Sequence, residues 1–246
     1  MHQIFLIAGY PIESYALFTF LAFAAASVYY YFALKAIPIK KSQVWTYLFL
    51  RAFVSYLGGA ILPFAYRWFY LHKAPWIDIW NKPPGRYFHS VVLSLLIYTL
   101  IVCKMWRWPT RKVLDIFAIG TLLASSIGRA GCLFWGCCYG KPCDLPWAIR
   151  FPSHPEIARH PTQIYMIILE ALLALYLFSF HKKSQKEGET FWVGVGLYSV
   201  YRFLIEFLRT NPIVAWGLTH AQLFSIFCAA LSAIVLVSKN REPHTG

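Results

Sequence analysis

Seven apolar runs, most of them long enough to span a lipid bilayer, constrain the fold of this chain more than any other feature. They cover Ser14–Lys35 and residues 45–71, 88–105, 113–128, 163–180, 191–209 and 218–237. About 20 apolar residues are needed for a helix to cross the hydrocarbon core. Because the backbone polar groups must be hydrogen-bonded within a bilayer, such runs form helices. The sequence predicts an all-α, polytopic integral membrane protein with about seven transmembrane helices.

The composition agrees with this prediction. Hydrophobic residues make up 59% of the 246 residues and charged residues only 13%, whereas a soluble domain is nearer half apolar and a quarter charged. The net charge of +13 is a property shared with nucleic-acid-binding proteins, but the Lys and Arg residues lie between the apolar runs and form no single basic patch. We therefore expect one membrane domain over residues 1–246 and no nucleic-acid partner.

The distribution of Lys and Arg predicts the topology. Seven crossings put the two termini on opposite sides, and the connections on one side carry twelve Lys and Arg residues against eight on the other. Cytoplasmic loops are enriched in these residues. The N-terminus is therefore predicted to lie outside and the C-terminus in the cytoplasm. The two long loops, near 72–88 and 129–162, then face the extracytoplasmic side.

Ionisable side chains in the apolar runs are the first candidates for function, because each costs a few kcal/mol, about 3, at the bilayer centre. Arg202 and Glu206 are four residues apart and share a helix face with Tyr198, and Arg209 follows. Two interpretations stay open: a structural ion pair, or the polar face of a site. The ionisable residues within or at the ends of the runs that we considered are Arg51, Arg67, Asp115, Arg202 and Glu206.

A glycine-rich segment follows the fourth run. Four glycines within thirteen residues, at positions 128, 131, 136 and 140, allow the backbone to approach a ligand closely. Arg129 lies among them, and a guanidinium binds phosphate through two parallel hydrogen bonds. A glycine-rich turn without further function is the alternative interpretation.

Two histidines stand near predicted helix ends. His160 precedes Pro161-Thr162-Gln163-Ile164-Tyr165 at the start of the fifth run, where free backbone N–H groups favour anions. His89 lies at the outer end of the third run, and an imidazole that titrates near neutral pH is suited to act as a general base. A structural role is the alternative for each.

Four cysteines fall within twelve residues, at positions 132, 137, 138 and 143. Their spacing matches no zinc pattern, and the sequence predicts no metal site. On an oxidising side of the membrane they favour one or two disulfides, with reduced packing thiols and metal or redox chemistry as the alternatives.

Taken in order, these motifs resemble the prolipoprotein diacylglyceryl transferase family over nearly the whole chain. The segment from Gly128 to Gly140 resembles the family's diagnostic arginine and glycine signature. The HPxQxY motif from His160 to Tyr165 and the YxxxRFxxEFxR helix that begins at Tyr198 also match. Tyr15, Asp115 and Gln222 fall where the family pattern has them.

Three positions depart from the family pattern. The family commonly has His-Gly-Gly where this chain has His89-Ser90-Val91, Asn where it has Cys132, and Glu where it has Met166. The chain resembles a divergent, cysteine-rich branch in which the acceptor or the lipid can differ.

The resemblance implies transfer of the diacylglyceryl group of phosphatidylglycerol to the lipobox cysteine thiol in the signal peptide of a prolipoprotein. Glycerol phosphate leaves, and no cofactor is required. The implied location is the bacterial cytoplasmic (inner) membrane, among membrane lipids, with the active site toward the extracytoplasmic side. Two other functions stay open: a transferase with the same donor and another acceptor, and a non-catalytic phospholipid-binding or transport protein.

The resemblance also implies roles for individual residues. Arg129 and Arg202 are the expected phosphate ligands, with Glu206 and Tyr198 orienting Arg202, and His89 is the expected base for the incoming thiol. The residues expected to bind substrate are Tyr15, Cys132, Gly140, His160, Gln163, Tyr198, Glu206, Arg209 and Gln222.

Overall fold

Seven long helices dominate the described part of the computed structural model. The structure describes the backbone of residues 4–7, 10–71, 88–184 and 186–241, and the side chains of residues 13–59, 90–184 and 186–239. The predicted helical fold class is confirmed, because each apolar run coincides with one helix. The helices of the described part are α1 Ser14–Lys35, α2 Lys41–Leu71, α3 Phe88–Trp106, α4 Thr110–Trp135, α5 Thr162–Lys183, α6 Glu189–Glu206 and α7 His220–Arg241.

Four of these helices are long and apolar enough to cross a membrane: α1, α4, α5 and α7. Residues Ser90–Trp106 of α3 form a shorter apolar helix. Large apolar side chains point outward from three of the four, with Phe20 67%, Leu175 65% and Phe227 62% exposed. Such a surface is stable against lipid tails rather than water. These features fit a membrane protein, while seven crossings and the orientation of the termini stay predictions.

Two helix boundaries differ from the predicted runs in ways that affect the site. Helix α4 continues past residue 128 to Trp135, so Arg129 and Gly131 lie on a helix instead of in the predicted loop near 129–162. Helix α6 ends at Glu206, and the chain turns there, with Arg209 N donating to Glu206 O at 3.0 Å. Periodic apolar patterns locate helices well, but their ends depend on turn geometry.

Three short antiparallel hairpins accompany the helices. The first joins β1 Ile4–Ile7 to β2 Tyr10–Glu13, and the second joins β3 Ile149–Phe151 to β4 His154–Arg159. The third joins β5 Ile213–Ala215 to β6 Leu218–Thr219 between α6 and α7. Its turn has positive φ at Trp216 and Gly217, which makes a tight reversal directly before α7.

The helices group into two compact units. The first unit contains residues 1–26 and 118–246, and the second contains residues 27–117. In the second unit Tyr30 Oη donates to Phe117 O at 3.1 Å, and Tyr47 Oη hydrogen-bonds Thr99 Oγ1 at 3.0 Å. The buried Arg51 guanidinium lies 4.4 Å from the centre of the Tyr30 ring, a cation–π contact that offsets part of its burial cost.

Small residues bring the helices of the first unit close together. A Cβ added at Gly196 in α6 would lie 2.8 Å from Ser232 Oγ in α7, and Ser232 Oγ donates to Trp192 O at 2.6 Å. Ser126 Oγ in α4 donates to Ile167 O in α5 at 3.0 Å. Membrane helices associate through such close backbone approach and hydroxyl bonds, because lipid tails provide no hydrophobic driving force. The ends of α4, α5, α6 and α7 that carry the site are positioned by these contacts.

Gly128 and Gly131 of α4 provide a matched test of this packing. A Cβ at Gly131 would lie 3.0 Å from Phe18 Cβ, which is attached to the α1 backbone and has no freedom to rotate away, whereas nothing lies within 4 Å at Gly128. Because both changes gain the same helix propensity, we expect Gly128→Ala to be more stable than Gly131→Ala by about 1–3 kcal/mol. Thermal unfolding in detergent measures the difference, and equal melting temperatures would contradict the α1–α4 contact.

Candidate functional site

A buried ion pair connects α4 to α5. Arg129 Nε lies 3.7 Å from Glu170 Oε1, with 13% of the Arg129 side chain and none of the Glu170 side chain exposed. Helix α5 presents Glu170 two turns after Gln163, on the same helix face. A carboxylate in so apolar a segment requires a cation or hydrogen bonds. The predicted site residue Arg129 is therefore held by a carboxylate that our sequence interpretation did not single out.

A second buried cluster forms where α6 ends. Glu206 Oε2 accepts a hydrogen bond from Arg202 Nη1 at 2.5 Å and lies 3.6 Å from Arg209 Nε. Glu206 Oε1 accepts from Asn211 Nδ2 at 2.6 Å and from Thr219 Oγ1 at 2.9 Å. Both carboxylate oxygens of Glu206 are thus engaged. The predicted role of Glu206 in orienting Arg202 agrees with this geometry.

Tyr198 connects the two clusters. It lies one turn before Arg202 on α6, its hydroxyl is buried, and it interacts with Arg129, Glu170 and Arg202. Three arginines and two glutamates then share one buried region, which leaves an excess of one positive charge. Nε of Arg202 is buried and has no hydrogen-bond partner within the part of the chain that the structure describes. Since an unsatisfied buried donor costs about 1–3 kcal/mol, the arrangement suits a singly charged anion.

The loop after α4 is fixed by backbone hydrogen bonds. Gly140 N donates to His160 O at 2.9 Å, His160 N to Lys141 O at 3.1 Å, and Lys141 N to Leu208 O at 2.7 Å. A Cβ at Gly140 would lie 2.8 Å from His160 Cβ and would overlap with Leu208 O. Glycine is therefore required at position 140 by close packing, and its predicted contact with substrate stays a prediction.

Side chains of α5 and Arg209 hold the turn at Cys137 and Cys138. Gln163 Nε2 donates to Cys137 O at 2.5 Å, and Thr162 Oγ1 donates to Cys138 O at 2.7 Å. Arg209 Nη1 donates to the same Cys138 carbonyl at 3.0 Å. Gln163 and Arg209, which we predicted to bind substrate, thus position the loop beside the buried arginines.

His160 and Tyr165 of the HPxQxY motif form a small polar group outside the ion pairs. His160 Nδ1 lies 3.4 Å from Tyr165 Oη, which accepts a hydrogen bond from Trp147 Nε1 at 2.8 Å. His160 is half-buried. The predicted role of His160 in substrate binding stays a prediction.

Gln222 acts as part of a helix cap. Thr219 N donates to Gln222 Oε1 at 3.0 Å, and Gln222 N donates to Thr219 Oγ1 at 3.3 Å. This reciprocal pair is a capping box at the start of α7. Thr219 also donates to Glu206, so the cap fixes the start of α7 against the charge cluster.

The remaining predicted residues lie at different places. Tyr15 lies in the first turn of α1, with its ring centre 6.1 Å from that of Trp135 at the end of α4. Cys132 lies on α4, one turn after Arg129. The side chain of His89 lies outside the described residues, so its predicted role as base stays a prediction.

Three residues of the buried charge network were missed by the sequence interpretation: Glu170, Asn211 and Thr219. Glu170 carried a clear signal, because it is an acidic residue inside the apolar run 163–180. Thr219 also carried one, since Thr219-His220-Ala221-Gln222 has the capping-box pattern. Asn211 carried none, because only the turn after α6 brings it to Glu206.

The cysteines are free thiols in the structure. Sγ atoms of Cys132, Cys137 and Cys138 all lie within 4.8 Å of one another. Hydrogen bonds with Cys132 and Cys137, together with the nearby arginines, lower the pKa of Cys138. Hydrogen bonds with Cys132 and Cys138 raise the pKa of Cys137. The predicted disulfides are thus not formed in this structure, and the cysteines adjoin the arginines.

Nearly the whole chain is similar to one family of enzymes. Residues 2–238 match the family model described as prolipoprotein diacylglyceryl transferase. A phosphatidylglycerol–prolipoprotein diacylglyceryl transferase of Clostridium tetani is 38% identical over 52% of this chain and 53% of its own length. Enzymes of that name from Geobacter sulfurreducens and Campylobacter hominis are 28% and 29% identical, over 84% and 97% of this chain and 83% and 91% of their lengths.

The Arg129–Glu170 pair gives a test of the buried network. Glu170→Gln leaves the Arg129 guanidinium buried without its carboxylate, which we expect to destabilise the protein by about 3 kcal/mol. Glu156→Gln is the matched control, because Glu156 is exposed on β4. Thermal unfolding in detergent measures both variants. Equal, small losses of stability would mean that Arg129 does not depend on Glu170.

Proposed function

Because the chain belongs to the prolipoprotein diacylglyceryl transferase family, we propose that it transfers the diacylglyceryl group of phosphatidylglycerol to the lipobox cysteine thiol of a prolipoprotein. The observation that carries this proposal is the buried network of three arginines and two glutamates. Phosphatidylglycerol has one phosphodiester group with a single negative charge. The excess positive charge of the network matches that headgroup.

The reaction requires little covalent chemistry from the protein. The thiolate sulfur of the acceptor attacks the carbon of the diacylglyceryl group that carries the phosphate. A C–S bond forms there, and the bond between that carbon and the phosphate oxygen breaks. The bonding electrons leave with glycerol phosphate, and a base takes the thiol proton. Negative charge grows on the phosphate as it leaves, so cations held in a dry site stabilise the transition state more than the bound lipid.

Arg129 and Arg202 are the residues that bind this phosphate. A guanidinium provides parallel N–H donors that fit two phosphate oxygens. A glutamate holds each guanidinium group: Glu170 Oε1 lies 3.7 Å from Arg129 Nε, and Glu206 Oε2 lies 2.5 Å from Arg202 Nη1. This support limits the rotation of the arginine side chains, and such preorganisation reduces the cost of aligning them during the reaction. Arg209 is 15% exposed at its side chain and adds charge at the rim.

The connectivity favours a site on one face of the membrane. Its residues come from the end of α4, the start of α5, the end of α6 and the start of α7. In an alternating arrangement of membrane helices, these four ends lie on the same side. With the N-terminus outside, that side is the extracytoplasmic face of the bacterial cytoplasmic membrane, where secreted prolipoproteins expose their lipobox.

A reconstituted assay tests the proposal. Protein in detergent receives phosphatidylglycerol labelled in its headgroup and a peptide with a lipobox cysteine, and released glycerol phosphate is counted. We expect release to require the peptide thiol. Arg202→Lys should lower the rate at least about 100-fold, because lysine lacks the planar pair of donors. Arg150→Lys is the matched control, since Arg150 is exposed on β3 and should keep the normal rate.

The other outcomes of this assay separate the alternatives. Release of glycerol phosphate that does not depend on the peptide would support phosphatidylglycerol as the donor and reject the lipobox cysteine as the acceptor. The departures from the family pattern at Cys132 and Met166 are compatible with such a different acceptor. Lipid binding without release would reject catalysis and favour a lipid-binding or transport function. A normal rate in Arg202→Lys would remove Arg202 from the phosphate site.

His89 is the proposed base for the acceptor thiol. A thiol with a pKa near 8.5 needs only a modest shift to ionise, and an imidazole accepts its proton near neutral pH. We expect His89→Gln to reduce turnover by about 100-fold or more while lipid binding persists. Raising the pH should restore part of the rate, because the peptide thiol then ionises without help. His220→Gln, at the first residue of α7, is the control, and a normal rate in His89→Gln would reject this role.

A further inference from the structure

Three thiols converge beside the buried arginines. Sγ atoms of Cys132, Cys137 and Cys138 lie within 4.8 Å of one another, and no other His, Cys, Asp or Glu within the described part of the chain joins this group. Cys143 belongs to the same loop but not to the group. All three cysteine residues are half-buried. We call these residues the thiol trio.

The backbone holds the thiol trio in place from several directions. Cys137 N donates to Cys132 O at 3.1 Å, which closes the turn after α4. The Cys137 and Cys138 carbonyls accept hydrogen bonds from Gln163, Thr162 and Arg209 at 2.5–3.0 Å. These contacts use no cysteine side chain. The three sulfur atoms are therefore preorganised by groups that would not compete for a ligand.

Cys138 also has an unusual backbone conformation. Its φ is +67°, in the left-handed region, and Gly136 two residues earlier has φ +74°. A non-glycine residue is rare in this region and costs about 1 kcal/mol or more there. A glycine at position 138 would make the same turn without this cost, but it would remove the third sulfur atom. The chain therefore has a thiol at a position where glycine would make the turn at lower cost.

The spacing of the sulfur atoms fits one metal ion. Metal–thiolate bonds are about 2.3 Å long, so three sulfurs around one ion lie about 4 Å apart. The observed separations, up to 4.8 Å, need a movement of less than about 1 Å to reach this value. Thiolates select soft d10 cations, among which Cu⁺ is stable with three ligands, whereas Zn²⁺ takes a fourth.

We propose that Cys132, Cys137 and Cys138 form a three-thiolate site for a soft d10 metal ion, with Cu⁺ as the ion that fits best. Arg129 and Arg209 interact electrostatically with Cys138. Three thiolates with one Cu⁺ carry two negative charges, and these arginines offset part of that charge. None of the three ligands belongs to the proposed phosphate-binding pair, so metal binding can be measured separately from the transfer reaction.

The first experiment measures metal binding by the whole protein. Reduced protein in detergent is titrated anaerobically with Cu⁺ against a chromophoric Cu⁺ chelator, and then alkylated and mapped by mass spectrometry. We expect one Cu⁺ per chain and protection of Cys132, Cys137 and Cys138 from alkylation. Cys143 should stay reactive. This mapping needs no variant, so a folding defect does not affect it.

Variants then identify the ligands. Cys138→Ser should weaken Cu⁺ binding at least about tenfold, and Cys143→Ser is the matched control that should bind like the unmodified protein. The same pattern with Zn²⁺ would also support a three-thiolate site. The proposal is wrong if reduced protein binds no metal, if Cys138→Ser binds as tightly as Cys143→Ser, or if the trio forms a disulfide whose reduction creates no metal site.

Discussion

The Glu206 carboxylate is the interaction on which the rest of the site depends. It receives Arg202 from its own helix and Arg209 from the turn that follows. Asn211 and Thr219 satisfy its other oxygen, so one buried charge fixes the end of α6, the β5–β6 hairpin and the start of α7. A carboxylate in an apolar segment is costly without partners, and this cost makes the geometry specific. Arg202, one of the two arginines proposed to bind phosphate, is therefore fixed by a constraint that the chain has to satisfy in order to fold.

Several residues of the family signatures act on this site through the backbone. Gly140 allows the loop to pass against Leu208, and Gln163 holds the Cys137 carbonyl. Gln222 caps α7 together with Thr219. None of these contacts requires a ligand. Gln163 reaches the turn that carries the thiols, and Gln222 reaches Glu206 through Thr219. Motif residues in this chain thus serve largely to position the few groups that carry charge.

The thiol trio and the phosphate site share their cations. Arg129 pairs with Glu170, Arg209 donates to the Cys138 carbonyl, and both arginines interact electrostatically with Cys138. Thiolates formed on metal binding would compete with an anionic headgroup for these charges. The position of Cys132, where the family commonly has Asn, therefore has an electrostatic consequence for the neighbouring site.

The sequence by itself determined the helical membrane fold, the family and most members of the charge network. Apolar runs and the four-residue spacing of Arg202 and Glu206 are local patterns, and local patterns are readable without a structure. Only the tertiary structure decided that Glu170 is the partner of Arg129, that close packing requires Gly140, and that the sulfur atoms of three cysteines lie within 4.8 Å of one another. These contacts join segments that are distant in sequence, and the packing of the helices brings their atoms within a few ångströms, which no local pattern specifies.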